Sequence, residues 1–130
     1  LFPEGTSSDG NRVLKFKSSL FSVVESNKEN SENFLIQAVT VCYKGLNGLP
    51  MSRSERPFIS WWGDMDLMNH LWNILKFNSV EILVIAHEPI EEVYDRKSLA
   101  KIAWAQVSQG MGLALSGKPR SLKCKELISF

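Results

Sequence analysis

The residues best equipped for chemistry stand at the start of this chain, in the run Phe2-Pro3-Glu4-Gly5-Thr6. Proline has no amide hydrogen to give to a β-ladder, so Pro3 is expected to close a strand, with Glu4 at that strand's carboxyl end. Gly5 lets the backbone come close to a ligand. Ligands of open α/β sheets collect at the carboxyl edge of the strands, so the run is a candidate binding turn. On spacing alone, a plain strand-to-loop turn with a solvated glutamate is the favoured reading.

The remaining reactive side chains are sparse. His70 lies among Leu67, Met68, Leu71, Trp72 and Leu75, which recur at intervals of three and four, and it reads as a half-buried helix histidine. Cys42 sits in an apolar run and Cys124 in a basic tail, with neither metal-ligand nor redox spacing, so two free thiols in a reducing cytosol are expected. No metal site and no redox cofactor is implied.

These residues need elements to position them. Lys17 to Val24 reads as a short helix beginning near Ser18 or Ser19, followed by a solvated loop over 25–33. Phe34 to Tyr43 is a β-branched apolar run of the kind found in strands buried on both faces of a parallel sheet, broken by Gly45, Gly48 and Pro50. A loop with Arg53 and Arg56 leads to the aromatic segment 58–62, expected to pack in the core, with a lipid surface as the other reading. Asp64 or Asp66 then caps a helix reaching about Asn78. Val80 to Ala86 is a second strand, ended by Pro89. Asp95 caps a long helix from Arg96 to Leu115, with Leu99, Ala103, Val107, Met111 and Leu115 on its buried stripe and Gly117 as its C-terminal cap. The order helix, strand, helix, strand, helix predicts an α/β layer with a mostly parallel sheet. Residues 1–117 form the domain, and 118–130 a basic tail that is solvated or touches anionic headgroups.

Composition narrows the function. A hydrophobic fraction of 44% supports a folded core, and 15 basic against 14 acidic side chains give a net charge of +1, too little for a global field that would attract nucleic acid. No stretch approaches the roughly 20 apolar residues that span a bilayer. The chain opens without an initiator methionine in what reads as the exit of a buried strand, so a longer protein is expected around it. By itself such a sheet would be marginally stable, because its edges lack neighbours.

The FPEGT run, followed by Ser7-Ser8-Asp9-Gly10 and by KFKSSLF over 15–21, resembles the third conserved block of the lysophosphatidate acyltransferase family of glycerolipid acyltransferases. Ile36 to Gly45 resembles the fourth block, and Trp61 to Trp72 is similar to the bacterial lysophospholipid acyltransferase branch. The resemblance implies that Pro3, Glu4, Gly5, Thr6 and Ser7 help form the pocket for a lysolipid acceptor. Lys17 would meet an acceptor phosphate or a carrier-bound thioester. Acyl carrier protein or acyl-CoA would be the donor, and no cofactor is needed.

The same resemblance implies a histidine and an aspartate separated by four residues as catalytic pair, located upstream, so no catalytic residue is expected in this chain and it should be inactive alone. His70 has Leu75 at that offset. His87 has Glu92, but it ends a strand, Pro89 intervenes, and it follows FPEGT, so a structural role is expected. Two residues depart from the pattern. Members acting on lysophosphatidate place arginine where Ser7 stands, which leaves room for a phosphate-free acceptor such as a lyso-ornithine lipid, with Arg12 as a possible substitute; Ala38 stands where proline is common. The implied setting is the cytoplasmic face of the inner membrane, peripheral or anchored from upstream. The rivals are a non-catalytic lipid-binding domain and an unrelated α/β transferase.

Overall fold

The computed structural model describes residues 1–24, 35–90, 95–116 and 127–129. A 3-10 turn, Ser18–Phe21, precedes strand β1, Val39–Leu46, and the two-residue strand β2, Leu49–Pro50. Helices α1, Arg56–Ile59, and α2, Leu67–Ile74, lead to β3, Val80–Ala86. The long helix α3, Arg96–Leu115, follows, and β4, Leu127–Ser129, closes the description.

The sheet has the order β2-β1-β3-β4 and every pairing in it is antiparallel, which corrects the expectation of a mostly parallel sheet. The reason is where the chain returns. After β1, the excursion through α1 and α2 re-enters beside the strand's own end, with Asn47 N donating to Ser79 O at 2.9 Å and Asn47 Oδ1 accepting from Asn78 N at 2.9 Å. Leu46 therefore pairs with Val80 and Val39 with Ala86, and no crossover to a parallel neighbour occurs.

The apolar run before Tyr43 is also less uniform than it reads. Within it β1 starts at Val39, and its side chains alternate: Thr40 and Cys42 are fully buried, while Val39 and Val41 are about half exposed. One face of the sheet is covered and the other is open, as antiparallel sheets permit. Gly45 does not break the strand. The turn is made by Asn47 and Gly48, at φ 52° and 78°, the left-handed pair that a two-residue hairpin requires.

Helix α3 covers the buried face. Leu99, Ala100 and Ala103 pack on Phe21, Val24, Ala38 and Ile90, and farther along Met111 and Ala114 meet Cys42, Leu83 and Ile85. Asp95 caps α3 as anticipated, accepting from the amides of Lys97 and Ser98, and Ser116 occupies its C-cap. Gly117 and the basic residues of the tail lie outside the described residues. The backbone of β4 pairs with β3, so the chain's last stretch adds a strand to the sheet.

Helix α2 starts where the spacing predicts, capped by Asp66, whose carboxylate accepts from Asn69 N at 2.8 Å, and ends at Ile74, short of the expected Asn78. Its orientation is the reverse of a core helix. Leu67, Met68, Leu71, Trp72 and Leu75 face outward, as do Phe58, Trp61 and Trp62, whereas His70 is buried with its ring Nε2 at 3.2 Å from Ile59 O. Core packing of the aromatic segment is thereby corrected. Periodicity shows that a helix has an apolar side and leaves open what, if anything, covers it. No helix of the described residues is long and apolar enough to cross a membrane.

Candidate functional site

Residues 2–5 form a tight turn rather than the end of a strand, with Gly5 N donating to Phe2 O at 3.2 Å. Leu1 and Phe2 are exposed and have no ladder partner among the described residues, so Pro3 opens a turn there. Gly5 takes φ 68°, the left-handed region that glycine enters without steric cost. Two contacts fold the following chain back onto this turn. Lys17 N donates to Pro3 O at 2.8 Å, and Leu14 N donates to the Glu4 carboxylate at 3.1 Å.

Glu4 is half-buried. Burial raises its pKa above the usual carboxylate range, and the hydrogen bond from Leu14 opposes that shift without cancelling it. The aliphatic part of Lys17 lies across Gly5: a Cβ built on that glycine would stand 2.9 Å from Lys17 Nζ and 3.1 Å from its Cδ. Pro3, Glu4, Gly5 and Lys17 are thus brought together in one turn. Thr6 and Ser7 follow the turn and are exposed.

The loop after the turn is held from a distance that sequence spacing does not reveal. Asp9 accepts from Asn11 N at 3.1 Å, and Asn11 in turn donates to Arg53 O at 3.0 Å and accepts from Arg56 at 3.0 Å. Burial works against the Asp9 charge, but the Asn11 hydrogen bonds and the Arg12 and Arg53 charges together hold its pKa below the usual range. Arg12, the possible stand-in for the arginine absent at Ser7, therefore sits beside an acid of its own loop. Arg56, expected in a loop, instead starts α1. It is buried, and its guanidinium ties Asn11 to Tyr43 O at 3.3 Å and Met51 O at 2.9 Å.

The chain is 35% identical over 127 residues to the lyso-ornithine lipid O-acyltransferase of Rhizobium meliloti, covering 93% of this chain and 43% of that protein. It is 38% identical over 122 residues to the enzyme of the same name from Brucella abortus, with 91% of this chain and 46% of the relative covered. The corresponding protein of Pseudomonas aeruginosa is 32% identical over 119 residues, 90% of this chain and 40% of its own length. Over these residues the chain is a homologue of part of bacterial lyso-ornithine lipid O-acyltransferases. It spans less than half the length of the curated relatives it matches. No family model matches it, and no solved structure does.

His87 is a packing residue. Its Nε2 lies 2.7 Å from Thr40 Oγ1, and the Thr40 hydroxyl spends its single hydrogen on Val107 O at 3.2 Å, so His87 Nε2–H is the donor. Gly110 of α3 closes over both: a Cβ there would stand 2.6 Å from Thr40 Oγ1 and 2.8 Å from His87 Nε2. Glu92, its partner by spacing, lies outside the described residues.

Burial lowers the His87 pKa below its ordinary 6.5. The unfolded chain, with the higher pKa, takes up a proton first as pH falls, so folding stability is lost below about pH 6.5 and is fully present above it. Chemical denaturation of the full-length protein should therefore show a lower midpoint at pH 5.5 than at pH 7.5, the drop shrinking in His87→Gln. Turnover of His87→Ala should stay within about tenfold of wild type, well short of the 10²-fold or greater loss that removal of a general base brings. A loss of that size would make His87 catalytic.

Proposed function

We propose that the protein containing this chain transfers an acyl group from acyl carrier protein or coenzyme A to the hydroxyl of a lysolipid, with a lyso-ornithine lipid as the acceptor. The acceptor oxygen attacks the thioester carbonyl, the carbon–sulfur bond breaks, and an ester and a free thiol result. A histidine outside these residues takes the hydroxyl proton and returns it to the leaving thiolate, as the family resemblance implies.

The observation that carries this reading is the clamped Glu4–Gly5 turn with Lys17 laid over it. An ornithine headgroup presents an ammonium and a carboxylate. Glu4 and Lys17 offer one charge of each opposite sign on a single turn, whereas Ser7 gives no bidentate clamp for a phosphate. The names of the relatives point to the same acceptor.

The reaction is placed at a lipid surface, on the cytoplasmic face of the inner membrane. The outward apolar side of α2 with Trp61 and Trp62 supports that placement, since indoles and leucines favour the boundary between headgroup and acyl chain. The lysophospholipid reading, with lysophosphatidate as the acceptor, is the alternative. An acyl-transfer assay of the full-length protein on vesicle-borne lysolipids decides between them. Lyso-ornithine lipid should exceed lysophosphatidate in kcat/KM by about tenfold or more, the scale of one charge-assisted contact. Transfer to neither acceptor would remove the proposal, and preference for lysophosphatidate would replace it with the alternative.

A further inference from the structure

The segment that lays Lys17 over the Gly5 turn has a second side. There, between Lys15–Ser18 and the first two turns of α3, lies a cavity of about 430 Å³. Phe16, Ala100 and Trp104 line its apolar part, and Lys15, Lys97 and Lys101 contribute three ammonium groups. The floor is fixed by the core: Ala100 is buried, and Phe16 stacks on the buried Phe21 with ring centroids 6.3 Å apart.

The charges are not arranged for stability. Lys97 and Lys101 are four residues apart on one helix face, a spacing at which like charges repel. Among the described residues no carboxylate lines the cavity, and none of the three lysines forms an ion pair. Asp95, the nearest acid on α3, is engaged with the Lys97 and Ser98 amides. An apolar floor with three cations at its wall that no described carboxylate offsets suits a ligand with an anionic group attached to an apolar body.

We infer that this cavity holds the phosphate-bearing pantetheine arm of the acyl donor, an inference that rests on the acyl-transfer reading above. That arm is common to coenzyme A and acyl carrier protein. Its phosphate would meet Lys15, Lys97 and Lys101, and its methyl-bearing part would lie on Phe16, Ala100 and Trp104. The acceptor proposed for the Gly5 turn carries no phosphate and does not fit the same triad of cations. One extended segment, Lys15–Ser18, thus separates donor from acceptor, with Lys17 facing one and its neighbours the other.

The test uses the full-length protein. Titration with 4′-phosphopantetheine, glycerol 3-phosphate and inorganic phosphate is compared for wild type and Lys97→Glu/Lys101→Glu. The double variant should bind 4′-phosphopantetheine about tenfold more weakly and raise the KM for the acyl donor by a similar factor, with the KM for the acceptor unchanged. Lys97→Arg/Lys101→Arg should retain wild-type values. If the charge reversal perturbs folding, Lys97→Gln/Lys101→Gln must show the same effect in reduced degree.

Unchanged 4′-phosphopantetheine affinity and donor KM would overturn the inference. So would a loss confined to glycerol 3-phosphate, which would give the cavity to a lipid headgroup, or equal weak binding of all three probes, which would show a non-selective anion patch. The direct titration separates this inference from the reading beneath it. Weakened 4′-phosphopantetheine binding in a protein that acylates no lysolipid would leave the cavity assigned and the acceptor reading refuted.

Discussion

Gly5→Val should lower acyl transfer by the full-length protein by about a hundredfold or more, the loss that follows when reacting groups are displaced by around an ångström. Two effects act at the site. Gly5 holds φ 68°, and a β-branched residue there costs about 1–2 kcal/mol, so the turn shifts toward negative φ. The new side chain also meets Lys17, whose Nζ stands 2.9 Å from the position of a Cβ. The lysine end can swing away cheaply, so the backbone term dominates. Moving that backbone displaces Glu4 and its bond from Leu14.

Glu4→Gln separates charge from shape. A glutamine oxygen can still accept from Leu14 N, so the turn is kept while the negative charge is removed. This variant should raise the acceptor KM by about tenfold, the worth of one charge-assisted contact, with thermal stability close to wild type. Steady-state kinetics over a range of lyso-ornithine lipid concentrations give both values. If both variants keep wild-type kcat/KM, the turn does not hold the acceptor.

The parts of this architecture that were legible in the sequence share a property: their signals are local. β3 begins and ends where the run Val80 to Ala86 does, because β-branched residues fill it and Pro89 follows. α3 runs from Arg96 to Leu115 because Asp95 caps it and its stripe repeats every fourth residue. Strand direction has no such signal. The apolar run in β1 fits a parallel or an antiparallel neighbour, and its one-sided burial had no cue in residue type, since the exposed Val39 and Val41 are more apolar than the buried Thr40. The Asn47-Gly48 pair was the cue to a hairpin.

At the candidate site the same division holds. Glu4, Gly5 and Lys17 are close in sequence, so their meeting in one turn rests on local contacts. What immobilises the turn's loop is a set of contacts to residues 42 and 45 positions away, and no spacing rule links Asn11 to Arg53 and Arg56. The outward face of α2 was unreadable for a different reason, since an apolar stripe looks alike whether a core or a lipid surface covers it.

Arg56 is where that distant support can be broken in one step. Its guanidinium is buried and donates to three neutral oxygens, Asn11 Oδ1, Tyr43 O and Met51 O, joining the binding loop to β1 and to the start of the α1 loop. Arg56→Ala leaves those acceptors partly shielded from water, and each fully orphaned group costs roughly 1–3 kcal/mol. Partial hydration reduces the sum, so a loss of about 3 kcal/mol in chemical denaturation of the full-length protein is expected. Arg56→Lys should recover less than half of it, because a single ammonium cannot reach three divergent oxygens at once. The loss should also appear in function, since Asn11 released from Arg56 frees the Ser8 to Arg12 loop beside the Glu4 turn and raises the acceptor KM. A stability change in Arg56→Ala within about 0.5 kcal/mol, the range of ordinary surface substitutions, would show that the guanidinium does not brace the site.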